Sequence, residues 1–426
     1  MNRSRIILVA LASATLALSQ SKNEPPLTSR EKQLNIESFE LVWSTVRDQY
    51  WDPQFGGLNW QAVHDQLRPE IERAATQSRA RAVMTEMVER LGKSHFAIIP
   101  ADLFGDLESG GSGTGVTGLD VRVLDGHAIV TTAEAPAGDV HPGWEILAID
   151  SVPLAPSLAK VAALYKNSTT RALYLARSVF MKLAGPVGSR VRVEFLNGRD
   201  QRETKELERV TPPGQPAHFG YLPTTYVRFR SRQIRDDIGY LTFNYFLDPA
   251  RLMPLFGDFV QSCAKCSGLI IDLRGNPGGL GIMAMGMAGW FFDKPDLRLG
   301  TMHTRQAPLN FVVNPRFPTY RGRVAILIDG ATGSTSEVFA GGMKDLGRAR
   351  IFGARSAGAA LPSAIDKLPN GDSFQHALAD YISEGGKSLE GIGVIPDVDV
   401  HLTRDALLAG RDPVLDAAIE WINAQK

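Results

Sequence analysis

Apolar positions at helical spacing open the readable part of the chain. Phe39, Val42, Trp43, Val46 and Tyr50 recur three and four apart, and Met84, Met87, Val88 and Leu91 do so again, so each set lines one face of a helix. Gly92 follows as a left-handed cap, and "KSHFAII" then starts an extended segment with Ser94 and His95 at the junction. Residues 30–100 read as an N-terminal helical domain. From 110 to 212 the pattern shortens to alternating strands broken by Gly and Pro ("GLDVRVL", "HAIVTTA", "WEILAID", "RVRVEFLNG"), the texture of a small β domain. From 213 to 426, apolar runs bounded by glycine, such as "SGLIIDLRGNPGG" and "RVAILIDG", alternate with helical stretches such as "SEVFAGGMKDLG". These are the buried strands and covering helices of an α/β domain.

A chain of 426 residues is too long for one ordinary core, in keeping with several domains. Its 46 basic and 46 acidic side chains cancel, and no long basic block occurs. Nucleic acid as a partner lacks its electrostatic footprint, which leaves small molecules and peptides. Residues 1–20, "MNRSRIILVALASATLALSQ", set Arg3 and Arg5 before an apolar stretch from Ile6 and end in small residues at Ala17 and Ser19, the layout of a secretory signal peptide. Its apolar stretch falls short of the ~20 residues that span a bilayer. The expectation is cleavage near Ser19 and an exported, periplasmic or secreted protein with no stable membrane span. Cys263 and Cys266, the two cysteines, sit in "CAKC". They are too few for a zinc site and lack a thioredoxin-like context, so they read as structural or incidental, free to pair in an oxidising compartment.

Candidate chemistry gathers at two glycine-rich turns after buried strands of the last domain. In "LIIDLRGNPGGLGIMAM" the strand ends at Asp272 and a helix begins near Gly279. Amides at a helix start carry the positive end of the dipole and hold anions. Without a Walker lysine or a dinucleotide spacing, the turn is an oxyanion hole or a tight packing turn. In "LIDGATGSTSEVFAGG" Ser334 stands between strand and helix, as a nucleophile does in a strand-turn-helix elbow, with the Thr335 amide as a second oxyanion donor. The competing use of Ser334, Thr335 and Ser336 is to cap the helix, and on this turn alone capping is the commoner use. A hydroxyl attacks nothing until a base takes its proton.

Two resemblances bear on that base. "GHAIVTTAEAPAGDVHPGWEILAIDSVPL" is similar to PDZ domains in its order of strand, "APA" turn, glycine, strand and turn before a helix, although Trp144 stands where that family usually has Asp. PDZ domains capture chain ends by adding a strand to a sheet edge, which implies that the "GTGVTGL" loop, with Val116, Gly118 and Leu119, is a carboxylate cradle. More widely, "FELVWSTVRDQYWDPQFGGLNW", "DLRGNPGG", "TGSTSEVFAGGMKDLGRARIFG" and "LEGIGVIPDVDV" occur in an order that resembles the S41 family of serine peptidases. That resemblance implies a crotonase-like ββα catalytic domain, Ser334 as nucleophile, and Gly279 with Thr335 as oxyanion amides. The processing-peptidase branch uses a lysine base in a "TFGKG" context; here "SAGAA" puts Ala359 at that position, and Lys344 and Lys367 lie outside the motif. The tricorn-like branch uses a Ser-His pair from the helical domain and a late Glu, which implies Ser94, His95 and Glu390, with Glu384 a competitor for the last role. Imidazole is the commonest base near neutral pH, with an ordinary midpoint near ~6.5, and needs a partner that fixes its tautomer.

The expectation is an exported serine endopeptidase acting on a peptide or protein substrate held by its end or an extended segment, needing no metal or organic cofactor. The alternatives are a catalytically silent binder of peptides or hydrophobic ligands on the same scaffold, and acyl transfer on thioesters. Oligomeric state and substrate sequence are not legible.

Overall fold

The computed structural model describes residues 9–10, 24–101, 114–218, 220–221, 224–234 and 237–424. The signal segment expected at 1–20 lies outside the described residues except for Val9 and Ala10, and so does Gly113 at the head of the "GTGVTGL" loop. Among the described residues no helix is long and apolar enough to cross a membrane.

Three helices form the N-terminal unit: α1 (Ser29–Gln49), α2 (Trp60–Arg73) and α3 (Gln77–Glu89). Each start is capped by a side chain, from Thr28, Asn59 and Thr76, and Thr28 forms a reciprocal box with Glu31. Their apolar faces meet in a core of Phe39, Val42, Val46, Trp60, Met84 and Met87, and this core is completed by Phe374 and Leu368 from far along the chain. A short strand, β1 (Ala97–Ile99), leaves the helices and pairs with Ser373–Ala377 of the C-terminal unit. The buried Asp372 carboxylate fastens the same junction, accepting from Arg81 at 2.8 Å and from the Ala101 amide at 2.8 Å. The helical unit is therefore bound edge-on to the unit that carries Ser334.

The middle unit is an antiparallel sheet of β2 (Leu119–Leu124), β3 (His127–Ala133), β4 (Glu145–Ile149), β5 (Arg190–Leu196) and β6 (Arg202–Glu208), in the spatial order β6-β5-β4-β3-β2. Helix α4 (Arg171–Leu183) lies beside β2, the terminal strand. Alternation drives this packing: Val191, Val193 and Phe195 are buried while Arg190, Arg192 and Glu194 turn outward.

In the C-terminal unit, β7 (Phe229–Ile234) pairs antiparallel with β8 (Ile238–Phe243), and β8, β9 (Gly268–Asp272), β10 (Arg323–Ile328) and β11 (Arg350–Gly353) run parallel. Strands β9 and β10 are apolar on both faces because both faces are covered, as parallel sheets require. Leu269, Ile271, Ile326 and Ile328 join α6 (Gly281–Ala288) and α7 (Thr335–Asp345), which follow α5 (Pro249–Ser262) in the chain. Ile270, Ala325 and Leu327 meet α8 (Pro413–Asn423) on the other side. The whole is a mixed α/β protein with N-terminal helices and several sheets. Cys263 and Cys266 are free, buried thiols, and burial pushes the Cys263 pKa up to about 12.

Candidate active site

Strand β10 ends at Ile328, and the turn after it lifts Ser334 to the start of α7 with a φ of +60°. A non-glycine residue in this region is strained, and the surrounding structure has to hold it. Here the Ser334 amide donates to the Ala359 carbonyl at 2.8 Å and to Glu337 Oε2 at 2.9 Å. Glu337 is a buried acceptor for four donors: besides Ser334, the Ala359 amide at 3.0 Å, the Gly358 amide at 2.7 Å and the Ser356 hydroxyl at 2.6 Å. Burial pushes its pKa up to about 7, against the pull of those donors. Ser336 is not the cap; it lies inside α7 and donates to the Asn276 carbonyl at 3.1 Å.

The other glycine turn, at the end of β9, packs directly on this one. At Gly278 (φ +101°) an added Cβ would stand 2.6 Å from the Ser334 Cβ and 2.7 Å from the Thr335 nitrogen; at Gly279 (φ +147°) it would stand 2.3 Å from the Phe246 carbonyl oxygen. Only glycine permits this contact and these dihedrals. Thr335 Oγ1 donates to the Gly279 carbonyl at 2.7 Å, so the two expected oxyanion positions belong to one joined pair of turns. The edge of Gly278–Gly279 also pairs antiparallel with Val9–Ala10.

Across from Ser334 stands His95, itself at a positive φ of 62°, directly after the helical unit. Its Nε2 is 3.1 Å from Ser334 Oγ, and its Nδ1 is 2.7 Å from Ser94 Oγ. Ser94 in turn donates its hydroxyl to Glu390 Oε2 at 2.8 Å and its amide to Glu390 Oε1 at 2.8 Å. The Ala360 amide also donates to Glu390 Oε2, at 3.1 Å. This chain of partners fixes a tautomer. Because the Ser94 hydroxyl donates to the carboxylate, its oxygen accepts from His95 Nδ1–H, which leaves Nε2 bare toward Ser334. His95 is fully buried and Glu390 half-buried: burial pushes the His95 pKa down to about 3 and raises Glu390 above the usual carboxylate range, opposed by the bonds from Ser94 and Ala360. The imidazole is therefore neutral at neutral pH.

Ser94, His95, Glu390 and Ser334 thus come together from three distant stretches of sequence. The competitors stand elsewhere. Glu384 pairs with Arg298 at 2.6 Å, Lys344 is held by Asp397 at 2.8 Å and by the Ile395 carbonyl, and Lys367 is exposed on a strand spanning Ser363–Lys367. Ala359 is buried and meets the serine through its backbone alone. Val116, Gly118 and Leu119 lie apart from this cluster, on the wall of a cavity between the middle and C-terminal units. Sequence reasoning missed the clamp Glu337 forms, and it missed Asn276, whose side chain ties the Gly278 amide at 2.9 Å to the Phe243 carbonyl at 2.8 Å. It also missed Arg122 and Asp329, paired at 2.7 Å, where Asp329 accepts the amides of both turns, Gly275 and Ala331, at 2.9 Å each. Part of each is local, as in the Ser334–Glu337 capping box, but the bonds that make them clamps come from distant segments and leave no sequence pattern.

Residues 237–400 match the model of peptidase family S41, and residues 36–89 match the tricorn protease C1 domain. The chain is a serine-type peptidase. It is 23% identical to carboxyl-terminal-processing peptidase 3 (chloroplastic) of Arabidopsis thaliana over 92% of this chain and 76% of that one. It is 24% identical to a putative tricorn protease homolog of Streptomyces coelicolor over 90% of this chain but only 32% of that longer protein. The fold is shared with mature CPAF, at a TM-score of 0.66 and 15% identity over 93% of this chain and 99% of that one. The chain thus carries an S41 peptidase region behind a segment that matches the tricorn C1 domain.

Proposed function

We propose that the protein is an exported serine endopeptidase in which Ser334 is the nucleophile and His95 the general base. The observation that carries this reading is the continuous run of hydrogen bonds from Glu390 through Ser94 and His95 to Ser334. A peptide carbonyl set against Ser334 is attacked by Oγ as Nε2 takes the hydroxyl proton. The imidazolium that forms is balanced through Ser94 by the Glu390 carboxylate, and it returns the proton to the leaving amine. The amides of Gly279 and Thr335 stabilise the tetrahedral oxyanion, each such donor being worth roughly 3–4 kcal/mol. Water then repeats the sequence on the acyl-enzyme.

The middle unit, read as PDZ-like, receives the substrate's carboxyl end between β2 and α4, with Val116, Gly118 and Leu119 around the terminal carboxylate. Export follows from the expected signal segment and is checked by N-terminal sequencing of the mature protein. The central test is labelling by a fluorophosphonate probe: the intact chain is expected to label, and Ser334→Ala to lose the label. Undiminished labelling of Ser334→Ala refutes the assignment.

A further inference from the structure

A cavity of about 890 Å³ separates the middle unit from the C-terminal unit. One wall is β2, whose outer edge faces no other strand among the described residues; the opposite wall is α4, which presents the exposed Phe180 and Met181. The floor includes the Gly275–Pro277 turn that leads to the catalytic serine. The charged side chains lining it are four arginines, Arg122, Arg177, Arg228 and Arg274, against two acids, Asp120 and Glu134. Three of the four guanidiniums are already held: Arg122 by Asp329, Arg228 by Glu134, and Arg274 by Asp272 and Asp412. Arg177 is different. Among the described residues its guanidinium makes no hydrogen bond and no ion pair; its electrostatic neighbours are the phenols of Tyr174, Tyr245 and Tyr165, and burial pushes its pKa down. A half-buried cation that faces a groove with no anionic partner among the described residues is the complement of an anion that is not yet there.

Position along the groove says which anion. The end of α4 at Leu183 runs into Gly185–Pro186, which pairs with Thr114–Gly115 beside the Val116–Leu119 loop, so that end is the carboxylate end. Arg177 lies six residues earlier on the helix. At 1.5 Å per residue this is roughly 9 Å up the groove, the span of about three residues of an extended chain. We propose that Arg177 is a specificity-determining residue that selects substrates carrying an acidic side chain at about the third position from the carboxyl terminus. The inference rests on the reading of the middle unit as a receptor for substrate ends.

The test uses the full chain with Ser334→Ala, so that binding is measured without turnover and apart from whether the catalytic assignment is right. Fluorescein-labelled alanine octapeptides carrying Glu, Gln or Lys third from a free carboxyl end are titrated by fluorescence anisotropy at low salt. The Glu peptide is expected to bind about tenfold or more tighter than the Gln peptide. Arg177→Gln abolishes that difference, and Arg177→Glu transfers the preference to the Lys peptide. Equal binding of the Glu and Gln peptides overturns the proposal, as does an unchanged preference in Arg177→Gln. A Glu preference that survives amidation of the carboxyl end overturns the register. If no free-ended peptide binds, capture of chain ends fails together with this proposal, while fluorophosphonate labelling still decides the catalytic reading by itself.

Discussion

Gly278→Ala tests whether the two glycine turns are the rigid frame of the catalytic serine. The new methyl would lie 2.6 Å from the Ser334 Cβ, 2.7 Å from the Thr335 nitrogen and 2.9 Å from the Gly333 oxygen. Carbon atoms pack at roughly 3.5–4.0 Å, so the turns must part by about 1 Å, and no flexible side-chain tip is present to absorb the shift. The residue must also hold a φ of +101°, which adds about 1–3 kcal/mol for a residue with a Cβ. Overpacking contributes a further ~1–3 kcal/mol, giving a stability loss of about 2–6 kcal/mol, readable in guanidinium melts. A displacement of 1 Å at a reacting atom costs on the order of 100-fold in rate. The assay is the rate of fluorophosphonate labelling together with kcat on a peptide substrate, measured well below the melting point. Gly341→Ala is the control, because its methyl meets Leu389 and Val394 at an ordinary 3.4 Å on the same helix, where alanine is favoured by up to ~1 kcal/mol. Wild-type labelling and kcat in Gly278→Ala, with the folded state intact, would refute the idea that this contact positions the nucleophile.

Four further outcomes are expected. His95→Ala should lower kcat/KM by roughly 10⁴-fold, measured on a peptide substrate, and full activity in that variant would return the base to a lysine. The acid limb of kcat/KM should fall below pH 6.5, because burial pushes the His95 pKa down to about 3 and the base stays neutral as pH drops through the ordinary histidine range. The same shift contributes stability that is full above pH 6.5 and is lost as pH falls toward 3, since the unfolded chain then binds the proton first; melting curves of wild type and His95→Ala across that window check the sign. Asp329→Ala should destabilise by about 1–3 kcal/mol by taking the acceptor from the half-buried Arg122, and should lower kcat more than it raises KM, because the Gly275 and Ala331 amides lose their common acceptor.

Local pattern carried a good part of this architecture. The helical spacing of Phe39 through Tyr50 and the apolar runs of β9 and β10 depend on period alone, and "KSHFAII" reads as a break from helix into strand because Gly92 ends α3. Ser334 remained ambiguous between cap and nucleophile in the sequence because both uses want the same residue at the same place. In the structure it occupies the cap position and faces an imidazole as well. What no window of sequence reveals is the pairing of Ala97–Ile99 with Ser373–Ala377, or the three donors from Ser356, Gly358 and Ala359 that converge on Glu337, because each joins segments that only folding brings together. No motif in the sequence marks Arg177. That it has no anionic partner among the described residues is a property of the folded cavity.

The strand pairing that seats His95 has a consequence for how the protein is made. Imidazole and hydroxyl are separated by 239 positions, and the carboxylate that completes the run follows later still, at Glu390. On the ribosome, helices α1 to α3 emerge and collapse first, lacking Phe374 and Leu368 to close their interior. A nascent or truncated chain that stops short of the last sixth of its length therefore holds Ser334 and His95 but lacks both Glu390 and the strand that pairs with Ala97–Ile99, so the hydrogen-bonded run closes only when synthesis is nearly complete.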